Sequence, residues 1–230
     1  MNAIFVAGTD TDVGKTWVTG LLLAFLREQG IEAGYQKWAA TGAGYPPADL
    51  CHCLETAGMV LQPELLADQV VFHFGLAASP HLAAEQEGRQ VEAEAIRQSF
   101  ARLISRYELL VVEGVGGLMV PLRRDLLLID LLAELVIPTV LVARSGLGTI
   151  NHTLLSIEAL RQRAIPLLGV VCSDAQPTED SAIVADNLRT IAELGRLPVY
   201  GRLPHCSNTA EAKAMFGPIG DAILASLYRG

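Results

Sequence analysis

Two stretches of this chain, Leu109-Leu110-Val111-Val112 and Thr139-Val140-Leu141-Val142, run apolar without alternating. A strand with one wet face alternates apolar and polar residues, so strands like these must be covered on both faces. The segments between them have helical periodicity. Lys15–Glu28 carries Val18, Leu21, Leu22 and Phe25 at i, i+3, i+4 and i+7, and Gly30 ends it. The pattern predicts strands over Asn2–Ala7, Ala33–Lys37, Leu109–Val112, Pro138–Ala143, Leu167–Cys172 and Val199–Gly201. It predicts helices over 15–28 and about 91–106, 126–136, 150–163, 179–194 and 210–227. Alternating strands and helices imply an α/β fold, with a mostly parallel central sheet flanked by helices and right-handed crossovers. The stretch at about 41–90, with Gly42, Gly44, Pro46, Pro47, Pro63 and Pro80, fits this rhythm least. It is expected to be an irregular insertion beside the sheet, within one domain spanning 1–230.

Composition narrows the function classes. A net charge of −8 with no basic run argues against nucleic acid or an anionic membrane as the main partner. No basic, apolar leader precedes Ala3–Ala7, and the longest apolar runs fall far short of a membrane span. The cysteines at 51, 53, 172 and 206 lack zinc-finger spacing and read as reduced thiols, so a cytoplasmic location is expected.

In open parallel sheets, ligands bind beyond the carboxyl ends of the strands. After the first predicted strand comes Gly8-Thr9-Asp10-Thr11-Asp12-Val13-Gly14-Lys15-Thr16, and a helix starts at once. Strand, loop and helix are the context of a phosphate-binding P-loop. Loop and helix N–H groups supply partial positive charge, Lys15 reaches the β- and γ-phosphates, and Thr16 coordinates Mg²⁺. The standard pattern has a glycine where this chain has Thr9; here the glycine comes one place earlier, at Gly8.

Three other strand ends carry candidates. Glu113, ahead of Gly114-Val115-Gly116-Gly117, stands where a second metal-binding carboxylate would be, or is an ordinary turn acid. Lys37 is either a cation for a phosphoryl group in transfer or a solvated strand-end lysine. Gly146-Leu147-Gly148-Thr149-Ile150-Asn151-His152 opens a helix whose free N–H groups either hold a carboxylate or make a plain loop-to-helix cap. Asp49, near the start of a predicted helix over Asp49–Ala57, is an N-cap or a metal ligand.

Together these motifs resemble the dethiobiotin synthases. The loop at 8–16, with its displaced glycine, is similar to that family's phosphate loop. Gly34-Tyr35-Gln36-Lys37, Ala40-Thr41-Gly42, Ala78-Ser79-Pro80-His81, Val112-Glu113-Gly114-Val115-Gly116-Gly117 and Leu147-Gly148-Thr149-Ile150-Asn151-His152 follow in family order. The resemblance implies an ATP- and Mg²⁺-dependent cyclo-ligase. It would close dethiobiotin from diaminopelargonic acid and CO₂ through a carbamate and a carbamic–phosphoric anhydride.

It also implies site residues. Lys37, Lys15 and Thr11 would be catalytic, and Thr16, Asp49 and Glu113 would hold the metal. Nucleotide contacts would come from Asp12, Val13, Gly14, Lys15, Thr16, Trp17, Asp49, Glu113, Gly114, Val115, Gly116, Ser173, Asp174, Pro204, His205, Cys206 and Glu211. Thr11 and Thr41 would bind the carbamate end of the substrate. Gly148, Thr149, Ile150 and Asn151 of the partner subunit in a homodimer would hold its distal carboxylate. Two departures stand out. Ser173-Asp174 replaces the family's Asn-Asp, which predicts weak selection for ATP, because a hydroxyl cannot make the two-point contact of an amide. Lys37-Trp38 replaces Lys-Pro, at what is expected to be a strand exit. The alternative reading is a partitioning ATPase of related fold. Such ATPases carry a further lysine early in the loop, where this chain has Asp10.

Overall fold

The computed structural model describes residues 2–174 and 180–228. Its central sheet has seven strands: β1 (Ala3–Gly8), β2 (Ala33–Thr41), β3 (Val70–Phe74), β4 (Leu109–Glu113), β7 (Thr139–Arg144), β8 (Leu167–Ser173) and β9 (Val199–Leu203). Their spatial order is β3-β2-β4-β1-β7-β8-β9, and every recorded pairing is parallel. A short antiparallel pair, β5 (Pro121–Arg123) with β6 (Leu126–Leu127), stands apart from it. The helices are α1 (Lys15–Glu28), α2 (Ala48–Thr56), α3 (Leu66–Gln69), α4 (Pro80–Gln86), α5 (Ala93–Arg106), α6 (Leu128–Leu135), α7 (Thr149–Gln162), α8 (Ser181–Gly195) and α9 (Thr209–Leu227).

The unalternating strands are covered on both faces, as expected. In β1, Ile4 and Val6 join the apolar cluster of α1 and α9, while Ala3, Phe5 and Ala7 join the cluster of α5, α6 and α7. Val111 against Leu110 and Val112, and Val140 and Val142 against Leu141 and Ala143, divide the same way. One strand therefore serves two cores. Each fully buried Val or Leu side chain contributes roughly 1.5–3 kcal/mol of apolar transfer free energy.

The sheet departs from the sequence reading around 33–90. The stretch 41–90 is not wholly irregular: β3 lies within it and forms an edge of the sheet. Ala39, Ala40 and Thr41 pair with Phe72, His73 and Phe74, so β3 prolongs β2 four residues beyond the expected end at Lys37. Val70, Phe72 and Phe74 are buried while Val71 and His73 are only partly so, which is the alternation of an edge strand with one drier face. Trp38 accordingly lies inside β2 and not at a strand exit. It is fully buried against Phe5, with ring centroids 4.8 Å apart. Residue 179, the expected start of the eighth helix, lies outside the described residues; Asp180 caps that helix by accepting from the N–H groups of Ala182 and Ile183. Among the described residues, no helix is long and apolar enough to cross a membrane.

Candidate active site

α1 begins directly behind the loop that follows β1, and its N-terminus opens on Gly14. That residue has φ 92°, a left-handed conformation that glycine adopts without a Cβ penalty. A Cβ at Gly14 would also meet the Ser173 Oγ at 2.6 Å, so the loop is packed against the end of β8. The displaced glycine has a physical reason. A Cβ at Gly8 would lie 2.7 Å from both Cδ and Nζ of Lys15, because the lysine folds back over this point to donate to the Asp10 carbonyl at 2.6 Å. The Asp10 carbonyl oxygen, a backbone atom that cannot swing aside as a lysine tip can, would lie 2.9 Å from the same Cβ, so the loop itself favours glycine at position 8.

Next to the loop, four elements deliver a buried polar cluster. β2 and β4 are neighbours, and their register places Lys37 opposite Glu113. Lys37 Nζ donates to Glu113 Oε1 at 2.8 Å and pairs with Asp49 from the first turn of α2. Thr16, from the first turn of α1, donates to Glu113 Oε1 at 2.7 Å and reaches Asp49 Oδ1 at 3.3 Å. Tyr35, two residues before Lys37 and on the same face of β2, donates to Glu113 Oε2 at 2.8 Å. Glu113 is fully buried and Lys37 is 4% exposed, so Lys37 is not a solvated strand-end lysine. Asp49 is not the helix N-cap either, since Pro47 occupies that position.

The electrostatics follow from this burial. Desolvation alone would lower the Lys37 pKa, but Glu113 and Asp49 outweigh it and hold it above the ordinary value. Burial would raise the Asp49 pKa, and Lys37 draws it down instead. Among the described residues, no carboxylate pairs directly with Lys15, and Glu113, Asp12 and Asp10 only partly offset its burial. Burial, reinforced by the Lys37 charge, lowers its pKa to about 8. Burial, with Glu113 adding to it, pushes the Tyr35 hydroxyl and the Cys53 thiol well up.

Thr11, Asp12, Gly14, Lys15, Thr16, Trp17, Lys37, Thr41, Asp49, Glu113, Val115, Gly116, Ser173, Asp174, Pro204, His205 and Cys206 all line one cavity of about 770 Å³. Seven expected residues do not border it. Gly114 is buried beneath, its N–H donating to the Val6 carbonyl at 3.0 Å. Glu211 caps the start of α9, accepting from the N–H and Oγ of Ser207 at 3.0 and 2.8 Å. Val13, Gly148 and Thr149 border a separate cavity of about 70 Å³, reached from Thr9 and Asp10 on another side of the loop. Ile150 and Asn151 line neither cavity. α7 nevertheless starts as α1 does, behind a left-handed glycine, Gly148 at φ 90°, on the strand next to β1.

Sequence reasoning missed Tyr35 as a partner of Glu113, and it missed His52. The signals were the period of two on β2 and the one-turn offset of His52 from Asp49 on α2.

Known proteins resemble this chain in sequence and in fold. Residues 2–213 match a family model described as an AAA domain. The chain is 34% identical to the ATP-dependent dethiobiotin synthetase BioD of Nitrosopumilus maritimus, with 92% of each chain covered. It is 38% identical to the BioD of Lysinibacillus sphaericus, over 92% of this chain and 90% of that one. The chain belongs to the dethiobiotin synthetase family. Solved structures supply the fold alone. An ATP complex of Cyanothece McdA superposes with a TM-score of 0.59 at 12% identity, over 99% of this chain and 96% of that one. The Pyrococcus furiosus cell division ATPase MinD superposes at 0.58 and 13% identity, over 100% and 99%. These likenesses place the chain among P-loop NTPase-like folds and lend no weight to a partitioning role, whereas the dethiobiotin synthetases match in sequence over nearly the whole chain.

Proposed function

We propose that the protein is an ATP- and Mg²⁺-dependent cyclo-ligase of biotin biosynthesis, acting in the cytoplasm, that makes dethiobiotin from diaminopelargonic acid and CO₂ with release of ADP and phosphate. The observation that carries this reading is the convergence, in one cavity, of the phosphate loop with a buried lysine clamped by two carboxylates.

The residues fit a magnesium ion. Thr16 Oγ1 and the carboxylates of Asp49 and Glu113 are hard oxygen donors gathered at one point. Among the described residues, no group of three or more His, Cys, Asp or Glu forms a closed cage. Magnesium suits such a site, because it takes one or two carboxylates and completes its shell with substrate phosphates and water. When bound, it neutralises charge on the β- and γ-phosphates.

The chain's own residues divide the remaining work. One substrate amine combines with CO₂ to give a carbamate and releases a proton. A carbamate oxygen attacks the γ-phosphorus, the bond to the bridging oxygen of ADP breaks, and a carbamic–phosphoric anhydride forms. The second amine then attacks the carbamyl carbon and expels phosphate, closing the cyclic urea. The first transfer brings two anions together, so cations must be held where charge develops. Lys15 serves the β- and γ-phosphates, and Lys37 the γ-phosphoryl group in transfer. Thr11 and Thr41 offer hydroxyls to the carbamate end. The helix start at Gly148–Asn151, which lies off the main cavity, holds the distal carboxylate of a substrate bound by the partner subunit of a homodimer.

The test is a complete mixture of protein, ATP, Mg²⁺, bicarbonate and diaminopelargonic acid, analysed for dethiobiotin by mass spectrometry. Each component is then omitted in turn. Dethiobiotin in the complete mixture alone supports the reading. ATP binding without any cyclic urea overturns it.

A further inference from the structure

We propose that Trp17 and His52 form a stacking shelf for the nucleobase, so that this site grips the base by its face and accepts triphosphates of any base. The inference rests on the nucleotide-binding reading above and extends it to a specificity element.

Trp17 is the third residue of α1, immediately after Thr16, and so is the first side chain beyond the phosphate-binding positions of the loop. Its ring lies beside that of His52 on α2, with centroids 5.1 Å apart and planes tilted by 37°. Both rings are partly buried and both line the large cavity. Trp17 also packs on the apolar cluster that α1 shares with α9, which supports its ring from one side. A rigid ring of this kind offers a π-face at small entropic cost.

Two polar side chains of the same cavity, Ser173 and Asp174, are poorly placed to read a base edge. The Ser173 hydroxyl is pressed towards Gly14, and its donor and acceptor share one oxygen, where an amide presents them on two separate atoms that can pair with two points of a base edge. The Asp174 carboxylate is already occupied. Its Oδ1 accepts from Ser145 Oγ at 2.6 Å and Arg202 Nε at 2.9 Å, and its Oδ2 accepts from Arg202 at 2.7 Å. Stacking, by contrast, works for every base, because every base has a π-face.

The test is calorimetric binding of ATP, GTP, CTP, UTP and inorganic tripolyphosphate, each with Mg²⁺, to the wild-type protein and to Trp17→Ala, Trp17→Phe and His52→Ala. Trp17→Ala is expected to weaken all four nucleotides by about 5- to 150-fold, purines most, and to leave tripolyphosphate within about twofold. Trp17→Phe should restore most of the loss, and His52→Ala should show a smaller loss in the same order. Equal weakening of tripolyphosphate by Trp17→Ala would make the ring a support for the loop and overturn the shelf. So would unchanged nucleotide binding, or a wild-type protein that binds tripolyphosphate as tightly as ATP. Loss of dethiobiotin formation with base-dependent stacking intact would sink the cyclo-ligase reading and leave the shelf standing.

Discussion

Nucleotide binding should weaken as pH rises through 8, because the phosphate-loop lysine has to be recharged. Lys15 is 7% exposed, and burial together with the nearby Lys37 charge lowers its pKa from 10.5 to about 8. A triphosphate against its amine favours the charged form, so its pKa in the complex is higher than in the free protein. The sign follows. Below pH 8 the free protein already carries the proton, and affinity is flat. Above pH 8 each binding event must take up a proton, and affinity falls about tenfold per pH unit until the pKa of the complex is reached. Between pH 7 and pH 9 the charged fraction of Lys15 drops from about nine-tenths to about one-tenth, a loss of about 1.4 kcal/mol. Isothermal titration of ATP in two buffers of different ionisation enthalpy reads both quantities at once. Proton uptake should rise from near zero at pH 7 to about one-half at pH 8. The Lys37 charge stays in place across this window, because Glu113 and Asp49 hold its pKa up. Replacing it tests the cause. In Lys37→Met the break should move to higher pH, though not to 10.5, since desolvation is the larger influence on Lys15. An affinity that is flat from pH 7 to 9.5, or a decline without proton uptake, would refute this account.

Further expectations come from the same geometry. Lys37→Ala should lower kcat on the order of 10²–10³-fold, the usual cost of removing one transition-state donor; an unchanged kcat would remove Lys37 from the mechanism. Gly14→Ala should cost about 1–2 kcal/mol for the left-handed backbone before its clash with Ser173 is counted, and ATP binding measured by titration should fail with it. Among the described residues, Tyr35→Phe leaves Glu113 Oε2 with the Cys53 thiol at 4.0 Å alone, and should cost about 1–3 kcal/mol in urea unfolding; a loss under about 0.5 kcal/mol would show that the hydroxyl is dispensable. If the substrate carboxylate site is completed by a partner subunit, mixing inactive Lys37→Ala and Asn151→Ala proteins should restore about a quarter of wild-type activity through hybrid dimers, whereas no recovery would place both residues in one chain's site.

What could be read from the sequence depended on how local the signal was. β1, the loop and α1 are contiguous, so strand, glycine, lysine and helix announced themselves in one run of residues. The unalternating strands likewise disclosed a sheet covered on both faces. β3 escaped because an edge strand of only five residues, Val70–Phe74, lies within a proline- and glycine-rich stretch, and its omission cut β2 short at Lys37. The clamp around Glu113 was half legible. Lys37, Asp49 and Glu113 were each visible at the end or start of an element, but Lys37 and Glu113 are 76 residues apart and only the register of β2 against β4 joins them.

That register carries a chemical consequence which separate candidates could not. A lone buried lysine would lose its proton to desolvation, as Lys15 half does near pH 8. Lys37 keeps its proton because two carboxylates face it, and those are the two carboxylates whose oxygens, with Thr16, suit a magnesium ion. Lys37 and the two carboxylates thus stabilise one another in the free protein. Neither has to be desolvated unpaired. On the proposed function, Asp49 and Glu113 would exchange contacts with Lys37 for contacts with a magnesium ion, and the phosphate would then take over the stabilisation of the lysine's charge. Glu113→Gln separates these roles. It should weaken Mg²⁺ affinity, read by competition with Mn²⁺ in an electron paramagnetic resonance titration, and it should also lower the pKa of Lys37, read by the pH dependence of its chemical modification. A Glu113→Gln protein in which only one of the two changes would show that the clamp and the metal site are independent.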